Sequence, residues 1–256
     1  MKIAATIQAR TGSTRLPGKV LLPIVGKPML ALQVERIRRS LLIDEVVIAT
    51  SRNPNDDVIE ELARQIGVSC FRGSEEKVLD RVMGALKQSG ADLQVEFYGD
   101  CPLPEPAIID AMIGIYLKNR DSYDYVGTGM KTTFPPGLDV TVYPTRVLYE
   151  TANVVSDRGY VAVNVRSHVE PGRVLNVEAP MWYRYPDVHL EVDTLEDFRV
   201  VSAIYEGLYP GNPYFVLADI IGFLRQNPSL AEANRSIPRR WKAYRPLDKE
   251  ERPCKG

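Results

Sequence analysis

Short apolar runs alternate with amphipathic stretches through the first half of the chain, and this alternation constrains the fold more than any other feature. Lys2–Gln8 reads as a buried strand, and Glu45–Thr50, Val68–Phe71 and Asp92–Tyr98 as further strands. Lys27–Arg39 places Met29, Leu30, Leu32, Val34 and Ile37 near helical spacing, with charge on the other face. Asp56–Ile66, Glu75–Gln88 and Pro104–Leu117 read as further helices. Asp56 and Asp57 suit a helix's positive end, and Ser74 reads as the N-cap of a helix with Glu75 and Glu76 in its first turn. Strand–helix repetition of this kind predicts an α/β fold, a three-layer Rossmann-like arrangement with a mostly parallel sheet and helices on both faces. Ligands of such sheets bind beyond the carboxyl ends of the strands, near a topological switch point. Two polar loops open there, Ala9–Lys19 and Gly99–Pro106.

The second half is less regular. Tyr123–Gly127, Leu138–Tyr143 and His189–Val192 read as strands, and Leu195–Leu208 and Tyr214–Gln226 as helices. Residues 145–186 read as a small mixed insertion lobe and a candidate dimer contact. The organisation expected is therefore a domain over 1–226 followed by a tail over 227–256, rich in Pro, Arg and Lys, that hugs the surface or frays. The formal net charge of -1 leaves no global field to recruit nucleic acid, so an anion site must be a local cluster of cations. No run approaches the roughly 20 apolar residues of a membrane span. Cys70, Cys101 and Cys254 form no metal spacing or even disulfide framework, which suits reduced thiols and a cytoplasmic location. His168 and His189 lie in no hydrolase motif and read as structural. The aromatic cluster Trp182–Tyr185 offers rings that suit stacking on a base, and reads sooner as packing at an interface.

The segment Gln8–Leu21, QARTGSTRLPGKVL, carries the chemistry. It follows a buried strand and gathers glycines and hydroxyls with Arg10, Arg15 and Lys19. Backbone N–H groups, hydroxyls and point charges in such a loop converge on anionic oxygens. The plainer reading is a solvated basic loop. It is not a Walker loop, because Gly12 and Gly18 bracket five residues and Val20 follows Lys19. The dinucleotide pattern G-x-G-x-x-G is also absent, which argues against a nicotinamide oxidoreductase. Farther on, Tyr98-Gly99-Asp100 ends a strand with a carboxylate at the sheet edge. Hard oxygen ligands there suit Mg²⁺ carrying nucleotide phosphates, and the plainer reading is a turn aspartate capping the next helix.

ARTGSTRLPGK, followed by GKPML at Gly26–Leu30, resembles the signature loop of the cytidylyltransferases that activate sialic acid, the keto-deoxy-octulosonate sugar and related acids. The fuller pattern is most similar to the spore-coat polysaccharide branch. Several motifs fall in order from residue 3 to about residue 200. The resemblance implies a nucleotide-diphospho-sugar transferase type of fold and a homodimer. It also implies transfer of CMP from CTP to an acidic sugar, with Mg²⁺ or Mn²⁺, for surface polysaccharide biosynthesis. Carried over residue by residue, it assigns Ala9, Arg10, Thr11, Gly12, Ser13, Arg15, Lys19, Arg72, Gly99 and Asp100 to the nucleotide. Lys19, Arg15 and Asp100 are catalytic, and Asp100 with Asp193 of His189–Asp197 (HLEVDTLED) holds the metal. Leu195 stands where the family carries Pro. Asp193 and Asp197 also suit the start of a helix without any function. Arg81 reads as a partner for Lys77 or a nearby acid. On the acceptor side, Gly137 and Asp139 match a G-L-D-V segment, and Arg158 and Arg166 are candidates for a sugar carboxylate, as is Arg184. Thr141 stands where relatives carry Glu, and Asp157–Ala162 replaces an E-H-V-T segment, so the sugar stays open. Two rival readings remain: a nucleotidyltransferase acting on a sugar 1-phosphate, and a non-catalytic nucleotide-binding partner protein.

Overall fold

The computed structural model describes residues 1–155 and 160–245. Apolar β-branched residues at the chain start form β1 (Ile3–Gln8), buried along nearly its whole length. After the loop come a two-stranded hairpin, β2 (Pro23–Ile24) and β3 (Lys27–Pro28), and helix α1 (Met29–Ile37). Then follow β4 (Glu45–Ser51), α2 (Asp57–Gln65), β5 (Ser69–Gly73), α3 (Val78–Ser89), β6 (Leu93–Tyr98) and α4 (Pro106–Asn119). The remainder comprises β7 (Tyr125–Gly127), β8 (Thr141–Pro144), α5 (Thr145–Val154), α6 (Val161–His168) and β9 (Val174–Asn176). Three helices follow: α7 (Leu195–Leu208), α8 (Leu217–Gln226) and α9 (Pro228–Glu232).

Among the described residues, seven strands make one sheet in the order β5-β4-β1-β6-β8-β7-β9. β5, β4, β1 and β6 run parallel, β8 lies antiparallel to β6 and β7, and β9 is parallel to β7. The sheet is therefore mixed and mostly parallel, as the alternation predicts. Side chains alternate across it. Ile3, Ala5 and Ile7 face a core shared with α1, α2, α4, α7 and α8. Ala4 faces a second core with α3, α5 and α6. The chain leaves β1 toward β4 on one side and later returns to β6 on the other, so the crevice between the ends of β1 and β6 is the switch point.

Four local expectations are corrected. The helix after Ser74 begins at Val78, and Ser74 Oγ accepts from Lys77 N at 3.0 Å rather than capping a helix. Arg81 is the reason: its guanidinium donates to Ser74 O at 2.8 Å and Glu75 O at 3.3 Å, holding these carbonyls out of helical geometry. His189–Val192 joins no sheet. It is an extended buried segment held by single bonds, Leu190 N to Pro136 O (2.8 Å) and Val192 N to Asp100 O (2.7 Å). Within residues 145–186, β9 completes the edge of the main sheet, because Tyr125–Gly127 leaves a free edge for it. The tail does not fray before Arg245: Asn234, Arg239 and Arg245 are buried, each tied to an acid in the body of the protein.

Candidate active site

The loop after β1 is anchored at its root. Thr11 N and Thr11 Oγ1 both donate to Asp56 Oδ1, at 2.8 and 2.7 Å, and Ser51 Oγ donates to the other oxygen of the same carboxylate. Asp56 is buried. Burial alone would raise its pKa, but the bonds from Ser51 and Thr11 outweigh it and hold the carboxyl below its ordinary range. The loop then folds on itself through Ser13 N and Gly18 N, both donating to Thr11 O. Gly18 adopts φ +69°, a left-handed conformation that turns the chain so that Lys19 points inward. Gly99 lets the end of β6 cross this turn closely. A Cβ there would lie 3.1 Å from Ala9 Cβ and from Gln8 O.

Lys19 is the centre of the site. Its Nζ donates to Asp100 Oδ2 at 3.0 Å, Asp193 Oδ1 at 3.1 Å and Val192 O at 2.7 Å. Arg15 approaches the other Asp193 oxygen at 2.6 Å. Burial works against the Lys19 charge, but Asp100 and Asp193 outweigh it and raise the pKa above that of a free lysine. Residues 81 and 174 positions away from Lys19 thus meet at one cation. The two carboxylates and a backbone carbonyl are hard oxygen donors already gathered around positive charge, a set that fits Mg²⁺ or Mn²⁺ shared with phosphates. Among the described residues no group of three or more His, Cys, Asp or Glu gathers as a metal cage, so a nucleotide's oxygens would have to complete the coordination.

The other expected residues distribute as follows. Arg10 is exposed at the loop mouth and pairs with Glu75 at 3.7 Å, beside the exposed Gly12. Ala9 is buried behind the loop, and Ser13 Oγ accepts from Leu16 N. Arg72 does not reach the Lys19 group: its guanidinium goes to Ser51 O, Asn53 O, Asp57 and Glu60. Arg81 is buried near Arg10 and Glu75, and its Nε has no hydrogen-bond partner. Gly137 supports the Asp193 segment. At φ +101°, an added Cβ would stand 2.5 Å from Glu191 N. Asp139 is paired with Arg245 at 2.7 Å, and Arg166 donates to Tyr244 O at 3.2 Å. Arg184 pairs with Glu178, and Arg158 lies outside the described residues.

Three contributors carry little sequence signal. Asp56 looks like an ordinary acid at a helix start, yet it holds the loop. Glu96, buried in β6, accepts from Gln8 Nε2 at 2.7 Å and Tyr143 Oη at 2.6 Å, and its burial raises its pKa. Arg239 belongs to a segment whose composition suits solvent, yet its side chain is wholly buried against Asp197.

Comparison with known proteins identifies a family. The family model described as Cytidylyltransferase matches residues 4–173. The chain is 33% identical over 233 residues to the spore coat polysaccharide biosynthesis protein SpsF of Bacillus subtilis, covering 88% of this chain and 95% of that one. It is 41% identical over 121 residues to a 3-deoxy-manno-octulosonate cytidylyltransferase of Geobacter sulfurreducens, covering 46% of this chain and 47% of the other. Among solved structures, a cytidylyltransferase from Leptospira borgpetersenii superposes with a TM-score of 0.85 at 29% identity, covering 93% of this chain and all of that one.

Proposed function

The chain belongs to the cytidylyltransferase family of nucleotidyltransferases, and on that premise we propose that it transfers CMP from CTP to an acidic sugar, of the sialic-acid or 2-keto-3-deoxy class, for surface polysaccharide biosynthesis. The observation that carries this reading is the convergence of Asp100 and Asp193 on Lys19 at the switch point. Asp100 and Asp193 would hold Mg²⁺ or Mn²⁺, which when bound supplies charge neutralisation and lowers the pKa of an attacking hydroxyl.

The chain's own residues do the positioning. The Ala9–Lys19 loop presents Arg10, Arg15 and Lys19 to the triphosphate, with Asp56 keeping its root rigid. The acceptor's anomeric hydroxyl oxygen bonds to the α-phosphorus, the bond from that phosphorus to the bridging oxygen breaks, and pyrophosphate leaves. The hydroxyl proton passes to solvent. Arg15 and Lys19 offset the negative charge gathered on the leaving group, and catalysis of this type rests on orientation and charge stabilisation. Arg166, bonded to Tyr244 O, and Arg245, paired with Asp139, are the cations this reading offers to the acceptor's carboxylate. SpsF supports the polysaccharide reading, and the keto-deoxy-octulosonate enzyme supports an acidic sugar.

Pyrophosphate release decides it. CTP, UTP, GTP and ATP are each offered with a panel of sialic-acid-like and 2-keto-3-deoxy sugar acids and with sugar 1-phosphates. CTP with a sugar acid is the expected productive pair. Turnover only with another triphosphate or a sugar 1-phosphate, or no turnover at all, overturns the proposal.

A further inference from the structure

The Asp193 carboxylate is aimed by a structure that begins far away in the tail. Asp197 Oδ2 accepts from Asp193 N at 3.0 Å, Thr194 N at 2.9 Å and Thr194 Oγ1 at 3.2 Å. With Thr194 Oγ1 accepting from Asp197 N, this closes a capping box at the start of α7. A capping box alone needs no further partner, and most stand at the surface with water on the acid. Here Asp197 is fully buried, so its charge requires compensation from within the protein.

Arg239 supplies that compensation from 42 positions along the chain. Its guanidinium donates to both carboxylate oxygens, to Oδ1 at 2.8 Å and Oδ2 at 3.0 Å, while Asn234 Nδ2 adds a bond to Oδ1 at 2.8 Å. The same guanidinium lies 3.4 Å from Glu191, which also accepts from Trp241 Nε1 at 2.8 Å. The Glu191 and Asp197 side chains, which flank residues 192–194, are therefore held from the tail side by Arg239, Trp241 and Asn234. From the other side this segment is held by Val192 N bonding to Asp100 O, between the two metal-binding carboxylates. The Asp193 carboxylate meets Lys19 and Arg15. This tail segment lies beyond the 4–173 span of the family match.

We propose that Arg239 is a positioning residue for the metal-binding carboxylate Asp193, acting through Asp197 on the Asp193 backbone. The inference rests on the reading of Asp193 as a metal ligand. Groups that orient a ligand from behind set metal affinity as well as rate, with losses on the order of tenfold or more when they are removed.

The test measures Mn²⁺ binding to the full-length, CTP-loaded protein by electron paramagnetic resonance, alongside thermal melting. Arg239→Gln is expected to weaken Mn²⁺ binding about tenfold, and Arg239→Lys, which keeps the charge but loses the two-oxygen contact with Asp197, to weaken it measurably but less. A folded Arg239→Gln protein that melts lower but binds Mn²⁺ as the parent does overturns the proposal, because a purely structural role predicts that result. If Arg239→Gln does not fold, Arg239→Lys and Asn234→Ala carry the test: weakened Mn²⁺ binding in both supports it, and parental affinity in both overturns it. Asp193→Asn separates the two levels. Parental Mn²⁺ affinity in that variant removes the metal reading itself. Lost affinity there with unchanged Arg239 variants removes only the role of Arg239.

Discussion

The two walls of the crevice are built differently. After β1, Arg10, Thr11, Ser13, Arg15 and Lys19 come from one continuous loop, held by a local turn and a distant anchor, Asp56. Around Asp193, Gly137, Asp139, Glu191, Asp197, Arg239 and Arg245 come from three separate stretches, and almost every side chain of interest already has a partner from another stretch. The first wall offers cations from a single rooted loop. The second is a pre-assembled lattice of buried ion pairs, with Asp197 and Arg239 inaccessible to solvent. Chemistry that must adapt to a polyphosphate suits the first construction, and a carboxylate that must not move suits the second.

The largest effect expected tests whether the walls truly share one centre. Asp100→Asn should lower kcat by about 10²–10³-fold in steady-state pyrophosphate release, the size of loss seen when one charge-stabilising group is removed. Full turnover in that variant would detach β6 from the chemistry. Next comes the rigidity of the second wall. Gly137→Ala forces a side chain into a left-handed backbone and into the Glu191 amide, so unfolding in urea should show a loss of about 3 kcal/mol. A neutral outcome would mean that the Leu190–Glu191 backbone yields easily, and the contrast between the walls would disappear.

The anchor of the first wall is expected to be weaker. Asp56→Asn should cost about 2 kcal/mol at pH 7, the scale of hydrogen bonds to a charged group. Its pH dependence has a definite sign. The folded pKa lies below the unfolded value of about 4, so the carboxylate's contribution is complete above that value and is lost as pH falls through the lowered folded pKa. The stability gap between parent and variant should therefore narrow in urea titrations at the acid end. A gap that widens there would show that Asp56 is not a charged anchor. The smallest effect is assigned to Arg72. Its ion pairs with the half-exposed Asp57 and Glu60 are worth at most about 1 kcal/mol. Arg72→Ala should leave the KM for CTP within about fivefold of the parent. A larger rise would place Arg72 on the first wall after all.

Legibility follows the same division. The strands β1, β4 and β6 and helix α7 lie within a few residues of the positions that apolar patterning predicts, because burial on both faces of a parallel sheet leaves a continuous apolar run. The loop's cations were equally visible, since adjacent residues of one loop need no fold to be neighbours. Ser74 misled because its hydroxyl serves a turn, and Arg81 takes the carbonyls that a helix would have used. His189–Val192 misled because an apolar β-branched run signals burial and extension, not a sheet partner. The tail reads as a surface segment because it is rich in Pro, Arg and Lys, and nothing in the neighbourhood of Arg239 or Arg245 names Asp197 or Asp139.

The sequence by itself therefore determined the alternating α/β architecture, the anion-binding character of the loop after the first strand and the family to which these belong. All three are written in residues close together along the chain. Only the tertiary structure decided that Asp100 and Asp193 meet at Lys19, that Asp56 roots the loop, and that Arg239 of the tail pairs with Asp197. Each of these is a pairing across 42 to 174 positions. A charge carries no label for its partner, and the choice is made by which backbone crossings the sheet topology permits.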